Sequence, residues 1–73
     1  LEGLGVLQDQ ARAIGLIQSA CDQGVADACT RIGQLYEEGI AVARDPSRAR
    51  AYFEMSCTGG DPLGCQALDG INP

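Results

Sequence analysis

The chain has 73 residues, ten acidic against five basic side chains, a formal net charge of −5, and 4% aromatic residues. A chain of this size holds one small domain whose hydrophobic core is marginal by itself, so cross-links or a docked partner are expected. The charge excludes the basic face that nucleic acid or an anionic membrane surface requires, and no run of about 18 apolar residues is present to cross a bilayer.

At the N-terminus, LEGLGVLQDQ has neither the basic region nor the apolar core of a signal peptide, and no initiator methionine. It reads as a loop leading to Asp9, the N-cap of a first helix over about 10–23. Ala13, Leu16, Ile17, Ala20 and Cys21 fall at i, i+3, i+4, i+7 and i+8 and share one face of that helix. Gly24 supplies the left-handed residue that ends it.

A second helix is expected over about 26–38, with Ala28, Ile32 and Leu35 in one stripe and Cys29, Gly33 and Tyr36 in the next. Gly33 costs helix propensity, so its place is explained by the close approach of another helix. Gly39 terminates this helix, and the loop GIAVAR leads to Asp45 and Pro46, an N-cap followed by proline at the first helical position. The third helix, about 46–58, carries Ala49, Tyr52, Phe53, Ser56 and Cys57 on its inner face. Gly60 ends it, and Asp61 with Pro62 opens a fourth helix over about 62–70.

These elements are periodic. Glu2, Gly3, Val6, Asp9, Arg12, Ala13, Cys21, Gly24 and Cys29 recur 36 residues later as Glu38, Gly39, Val42, Asp45, Arg48, Ala49, Cys57, Gly60 and Cys65. The fold class is all-α, an α/α solenoid of antiparallel helix pairs forming a single repeat array. It divides into a partial repeat (1–25, loop and helix), a complete repeat (26–61) and a C-terminal half repeat (62–73).

About three repeats normally bury a continuous core. The first helix is therefore expected to expose a stripe that upstream chain or another subunit covers, and the sequence is read as a piece of a longer chain. In the last unit Asp69 stands at the Gly33 position and Asn72 at the Tyr36 position, the polar pattern expected of a natural C-terminal end. Ala41 stands where Gly5 stands in the other copy, so a looser loop is expected there.

Three readings fit the four cysteines. Local pairing of Cys21 with Cys29 and of Cys57 with Cys65 closes loops of about nine residues, each worth roughly 2.5 kcal/mol in the chain-entropy model. Of the three connectivities open to four cysteines, only this one repeats symmetrically. A zinc site fits poorly, because zinc ligands usually come from short C-x₂₋₄-C knuckles and here seven residues intervene with no histidine in the chain. The third reading is buried free thiols in a reducing compartment. Local pairing fits best and implies an oxidising compartment.

Nothing in the pattern points to catalysis or to a cofactor or metal. Histidine is absent, Ser19, Ser47 and Ser56 have no evident base, and Glu37 and Glu38 read as a solvated helix end. The glycines at 3 and 5 are too few and too close for a phosphate-binding loop.

The segments I-G-Q-L-Y-E-E-G (32–39), V-A-R-D (42–45) and A-R-A-Y-F-E-M-S-C (49–57) resemble the Sel-like repeat family, tetratricopeptide-related solenoids of paired helices with a period near 36. The C-x₇-C pairs resemble its cysteine-rich Hcp-type subgroup. That resemblance implies an exported protein, periplasmic or secreted, with a disulfide at each pair. It also implies a non-catalytic protein–protein interaction scaffold or accessory structural subunit, with no transmembrane segment and no nucleic-acid partner. The implied partner is a protein or a multi-subunit complex, membrane-associated assemblies included. Candidate contacts are Thr30, Arg31, Gln34 and Glu38 on the second helix, read as facing away from the main core stripe. Some cysteine-rich relatives are associated with β-lactam binding or hydrolysis, which gives a second expectation. A serine acyl-enzyme of the usual kind would need a lysine, and the chain has none.

Overall fold

The computed structural model describes the backbone of residues 2–71 and the side chains of residues 9–70. Four helices follow one another: α1 (Glu2–Asp22), α2 (Ala26–Glu38), α3 (Pro46–Thr58) and α4 (Pro62–Ile71), with no strand among the described residues. Each helix packs on the next and α2 also touches α4, whereas among the described residues no Cα pair of α1 and α3 comes within 8 Å. The chain is thus an α/α array in which α2 and α4 lie on the tighter side and α1 and α3 spread apart on the other. Asn72 and Pro73, read above as part of the polar end, lie outside the described residues.

Local chemistry sets the helix limits. The Asp45 carboxylate accepts a hydrogen bond from the Arg48 N–H at 3.1 Å, and Pro46 takes the first helical position of α3. Asp61 repeats the device for α4, accepting from the Leu63 N–H at 3.0 Å. At the α1–α2 turn the Gly24 N–H donates to the Cys21 carbonyl and the Val25 N–H to the Ala20 carbonyl, at 2.9 and 3.0 Å. At the α3–α4 turn the Gly60 and Asp61 N–H groups do the same to Cys57 and Ser56, at 3.1 and 3.0 Å. Gly24 and Gly60 adopt φ of 96° and 100°, the left-handed conformation such a turn needs.

One expectation about the inter-helix segments is corrected. Residues 2–9 continue α1 and form no loop, so Asp9 lies inside a helix instead of capping one. Its copy Asp45 is followed by proline, and its loop is tied back to the preceding helix by the Asp45 N–H to Tyr36 carbonyl bond and by Arg44 Nε to the Glu37 carbonyl, at 2.9 and 3.0 Å. Asp9 is followed by glutamine, and no helix precedes α1 among the described residues to supply such ties. In the α2–α3 loop Ala41 adopts a left-handed φ of 62°, at a cost a glycine would not incur.

The core runs along the inner faces of the helices. Cys21, Ala28, Cys29, Ile32, Ala49 and Phe53 are buried, with Ile14, Ile17, Ala20, Leu35, Tyr36 and Tyr52 packed around them. Leu16, from the expected inner stripe of α1, is 73% exposed, because nothing described lies against that side of α1.

The closest helix approach is at Gly33. A Cβ built there would lie 2.8 Å from Cε1 of Phe53 and 3.2 Å from the Ala49 carbonyl oxygen. Phe53 is fully buried and has no room to withdraw. Gly15, in exposed α1, has nothing within 4 Å of the same construction. The two glycines therefore respond oppositely to alanine. Gly15→Ala is expected to raise stability by up to about 1 kcal/mol through helix propensity. Gly33→Ala is expected to lower it by about 1 kcal/mol net, since overpacking outweighs the same gain. Urea denaturation of the two variants measures both signs.

Candidate functional site: two cross-linked helix junctions and the outer strip of α2

The cysteines sit where each turn folds one helix end over the start of the next. Cys21 and Cys29 are joined with an S–S distance of 2.11 Å and Cα atoms 4.6 Å apart; Cys57 and Cys65 are joined at 1.92 Å with Cα atoms 4.7 Å apart. With all four sulfurs in disulfides, no thiolate remains for zinc, and no group of three or more metal-ligating side chains occurs among the described residues. Cys21 and Cys29 are 1% and 2% exposed, so the first bridge is sealed in the core.

The junctions share a backbone and differ in side chains. Ala20, Val25 and Ala28 at the first correspond to Ser56, Asp61 and Gly64 at the second. The Ser56 hydroxyl occupies space that Gly64 leaves: a Cβ at residue 64 would lie 2.7 Å from that of Ser56. Thr30, from α2, completes a polar node. Its hydroxyl donates to the Asp61 carboxylate at 2.6 Å, which leaves the Ser56 hydroxyl to donate to the Thr30 oxygen. Among the described residues no buried side-chain polar atom lacks a partner.

The hydrogen bond from the Thr30 hydroxyl first, and then that from the Leu63 N–H, hold the Asp61 carboxyl below its ordinary range, each outweighing the opposing effect of burial. Ser56 is fully buried within this node, so its hydroxyl is not presented to a substrate.

Of the expected contact residues, Arg31, Gln34 and Glu38 are exposed on α2, with Arg31 paired to Asp27 at 3.2 Å. Thr30 is a correction: it is 2% exposed and turned inward to Ser56 and Asp61, so it is not on the contact face. Periodicity alone put it on the polar side of α2. The sequence signal that could have placed it is the joint change from apolar Ala20 and Val25 to polar Ser56 and Asp61, since a hydroxyl on the inner face of α3 needs a hydrogen-bond partner from a neighbouring helix. A second connection was not anticipated. Tyr52 stacks on Tyr36 with ring centroids 5.8 Å apart, and its hydroxyl donates to Gln18 Oε1 at 2.7 Å, linking α3 to α1. Arg48 lies 5.6 Å from the Tyr36 ring centroid and extends the stack.

Two outcomes follow from this geometry. Removing one bridge, as in the Cys21→Ser, Cys29→Ser double variant, is expected to cost about 2–3 kcal/mol, read as a lower urea midpoint. An unchanged midpoint would contradict a clamping role. For Asp61 the folded pKa lies below the unfolded value of about 3.9. Its contribution to stability is thus present above about pH 4 and is lost as pH falls through the folded value. Asp61→Asn should flatten the acid limb of the stability–pH curve below about pH 4, and Thr30→Val should reduce the same limb. Acid unfolding followed by circular dichroism tests this, and a limb unchanged in both variants would contradict it.

No described helix is long and apolar enough to cross a membrane. Neither the curated proteins nor the solved structures yield a match to this chain. The Sel1 repeat model matches residues 1–25 and 26–61. Repeats of this kind generally mediate protein–protein interaction and are typically non-catalytic. With that match over most of its length and the helical array beneath it, the chain belongs to the Sel1 repeat family.

Proposed function

We propose that this chain is a non-catalytic interaction scaffold or accessory structural subunit that works outside the cytoplasm, periplasmic or secreted, and docks on a larger protein assembly. A membrane-associated complex falls within that description. The observation that carries this reading is the pair of disulfide-closed junctions, which hold α2 against α1 and α4 against α3 and so keep one exposed face of α2 in a set orientation to α1. Disulfides of this kind persist in oxidising compartments. They also support placing the chain in the exported, cysteine-rich Hcp-type branch of the family.

The contact face on this reading is Arg31, Gln34 and Glu38. Both charge signs and an amide lie on exposed helix, suited to a polar, sequence-specific contact. A rigid helix presents these groups with little ordering cost on binding, which favours a scaffold over a folding-on-contact segment.

The test is affinity capture from periplasmic or secreted and membrane fractions, with the wild type and the Arg31→Glu, Gln34→Ala, Glu38→Arg triple variant side by side. A partner retained by the wild type and lost by an equally stable variant is the expected result. Equal capture by both would move the contact elsewhere. Trapping of free thiols in cells, with all four cysteines found modified, would overturn the compartment.

A further inference from the structure

The two bridges differ in their access to solvent. Cys21 and Cys29 are 1% and 2% exposed and form a buried cluster with Ala28 and Ile32, against which Ile14, Ile17 and Ala20 of α1 pack. An apolar pocket lies beside this bridge, lined by the α1–α2 turn and by α3, yet it leaves both cysteines closed off. Cys57 and Cys65 are both partly exposed. Thiol–disulfide exchange needs direct approach of the attacking sulfur, so a thiol in solution reaches the second bridge and not the first.

The helix α4 is also the one with the least apolar anchorage. None of the buried hydrophobic residues among those described lies on it; Ile32, Ala49 and Phe53 of the core belong to α2 and α3. The one described α4 residue that is buried is Gly64, which has no side chain and rests against Ser56. Ala67 and Leu68 are partly buried. Beyond these, α4 is held by the Cys57–Cys65 bridge and by Asp61 at its start, which accepts from Thr30 at 2.6 Å. A helix of 10 residues does not persist by itself in water, so its order depends on staying docked.

We propose that Cys57–Cys65 is a redox-sensitive latch: a small thiol opens it while Cys21–Cys29 stays closed, and α4 then leaves an intact α1–α2–α3 core. The thiolate of a small-molecule thiol attacks the Cys57 sulfur and forms a mixed disulfide there. The S–S bond breaks with its electron pair on Cys65, which sits in the first turn of α4, where a thiolate is favoured, and then takes a proton. A second thiol displaces Cys57 from the mixed disulfide. The bridge has then gained two electrons and two protons, and two thiols have become one disulfide. In an oxidising compartment the latch rests closed. Its opening uncovers Thr30 and Ser56, 2% and 0% exposed with α4 in place, and so presents a polar edge of α2 and α3 that is otherwise shut. The latch does not depend on which partner the outer strip of α2 meets.

The experiment incubates the oxidised full chain with reduced glutathione, then alkylates it and maps the cysteines by peptide mass spectrometry, with amide hydrogen exchange followed on the same samples. Cys57 and Cys65 are expected to become alkylated at least about tenfold faster than Cys21 and Cys29. In the species with one bridge open, the Ala67 and Leu68 amides should lose protection, while those of Ile32 and Phe53 keep it. The Cys57→Ser, Cys65→Ser double variant, which cannot close the latch, should show that exchange pattern without glutathione. Reduction of Cys21–Cys29 first or at an equal rate, α4 amides that stay protected with Cys57–Cys65 open, or loss of protection at Ile32 and Phe53 together with α4 would each overturn the proposal.

Discussion

The ring of Phe53 lies in the space that a side chain at residue 33 would occupy, and the separation of α2 from α3 follows from that contact. Once the two helices are this close, Ala49 faces α2 without a gap, Tyr52 reaches the Tyr36 ring, and Arg48 reaches the same ring and its hydroxyl. A chain with few large side chains can bury a core only by bringing backbones together, because small residues fill little space at ordinary helix spacing. The low aromatic content and the glycine at position 33 are thus one structural solution. Its cost in helix propensity is offset by tight packing around a fully buried ring.

The two disulfides act on a different quantity. Phe53 and Ile32 fix the distance between helices, whereas each bridge fixes the angle at which one helix is turned back on the next by tying residues eight apart across a glycine-ended turn. That shared backbone tolerates changed side chains. The second junction replaces apolar contacts with the Thr30–Ser56–Asp61 node, and the glycine at 64 accommodates the added hydroxyl. Asp61 then does two things at once, capping α4 and accepting from Thr30 of α2. A single carboxylate therefore connects the start of one helix to the middle of another, which gives this junction a pH dependence that Val25 cannot give the first.

The limits of α2 and α3 were legible because their signals are local: Asp45 with Pro46 at one start, Gly39 and Gly60 after the ends. The repeat carried the architecture, since copies of one inner stripe imply copies of one packing. The repeat also misled at residues 2–9. A loop in one copy predicts a loop in the other, but the loop before α3 is held by Tyr36 and Glu37 of the helix in front of it, and those bonds are tertiary. Thr30 failed for a related reason. Its surroundings are Ser56 and Asp61, 26 and 31 residues away, and no helical periodicity within α2 contains them. The apolar pocket beside the first disulfide was also invisible in the sequence, because it is lined by the α1–α2 turn and by α3, which no periodicity within one helix brings together.

The array has chemically unlike flanks. Residue 69 of α4 corresponds to Gly33, and it is an aspartate; a helix laid on α4 as α3 lies on α2 would place an aromatic ring against that carboxylate, with the close approach blocked by its Cβ. α1 differs in kind. Leu16 holds the place of Tyr52 and is exposed, and Ala13 holds the place of the fully buried Ala49, so this flank has the small and aliphatic surface on which the repeat elsewhere packs a helix. Polar contacts suit the α4 side and the outer strip of α2, while apolar contacts suit α1. The disulfides hold α1 to α2 and α3 to α4, and the Gly33–Phe53 contact joins the two cross-linked pairs, so these chemically different edges belong to one packed array.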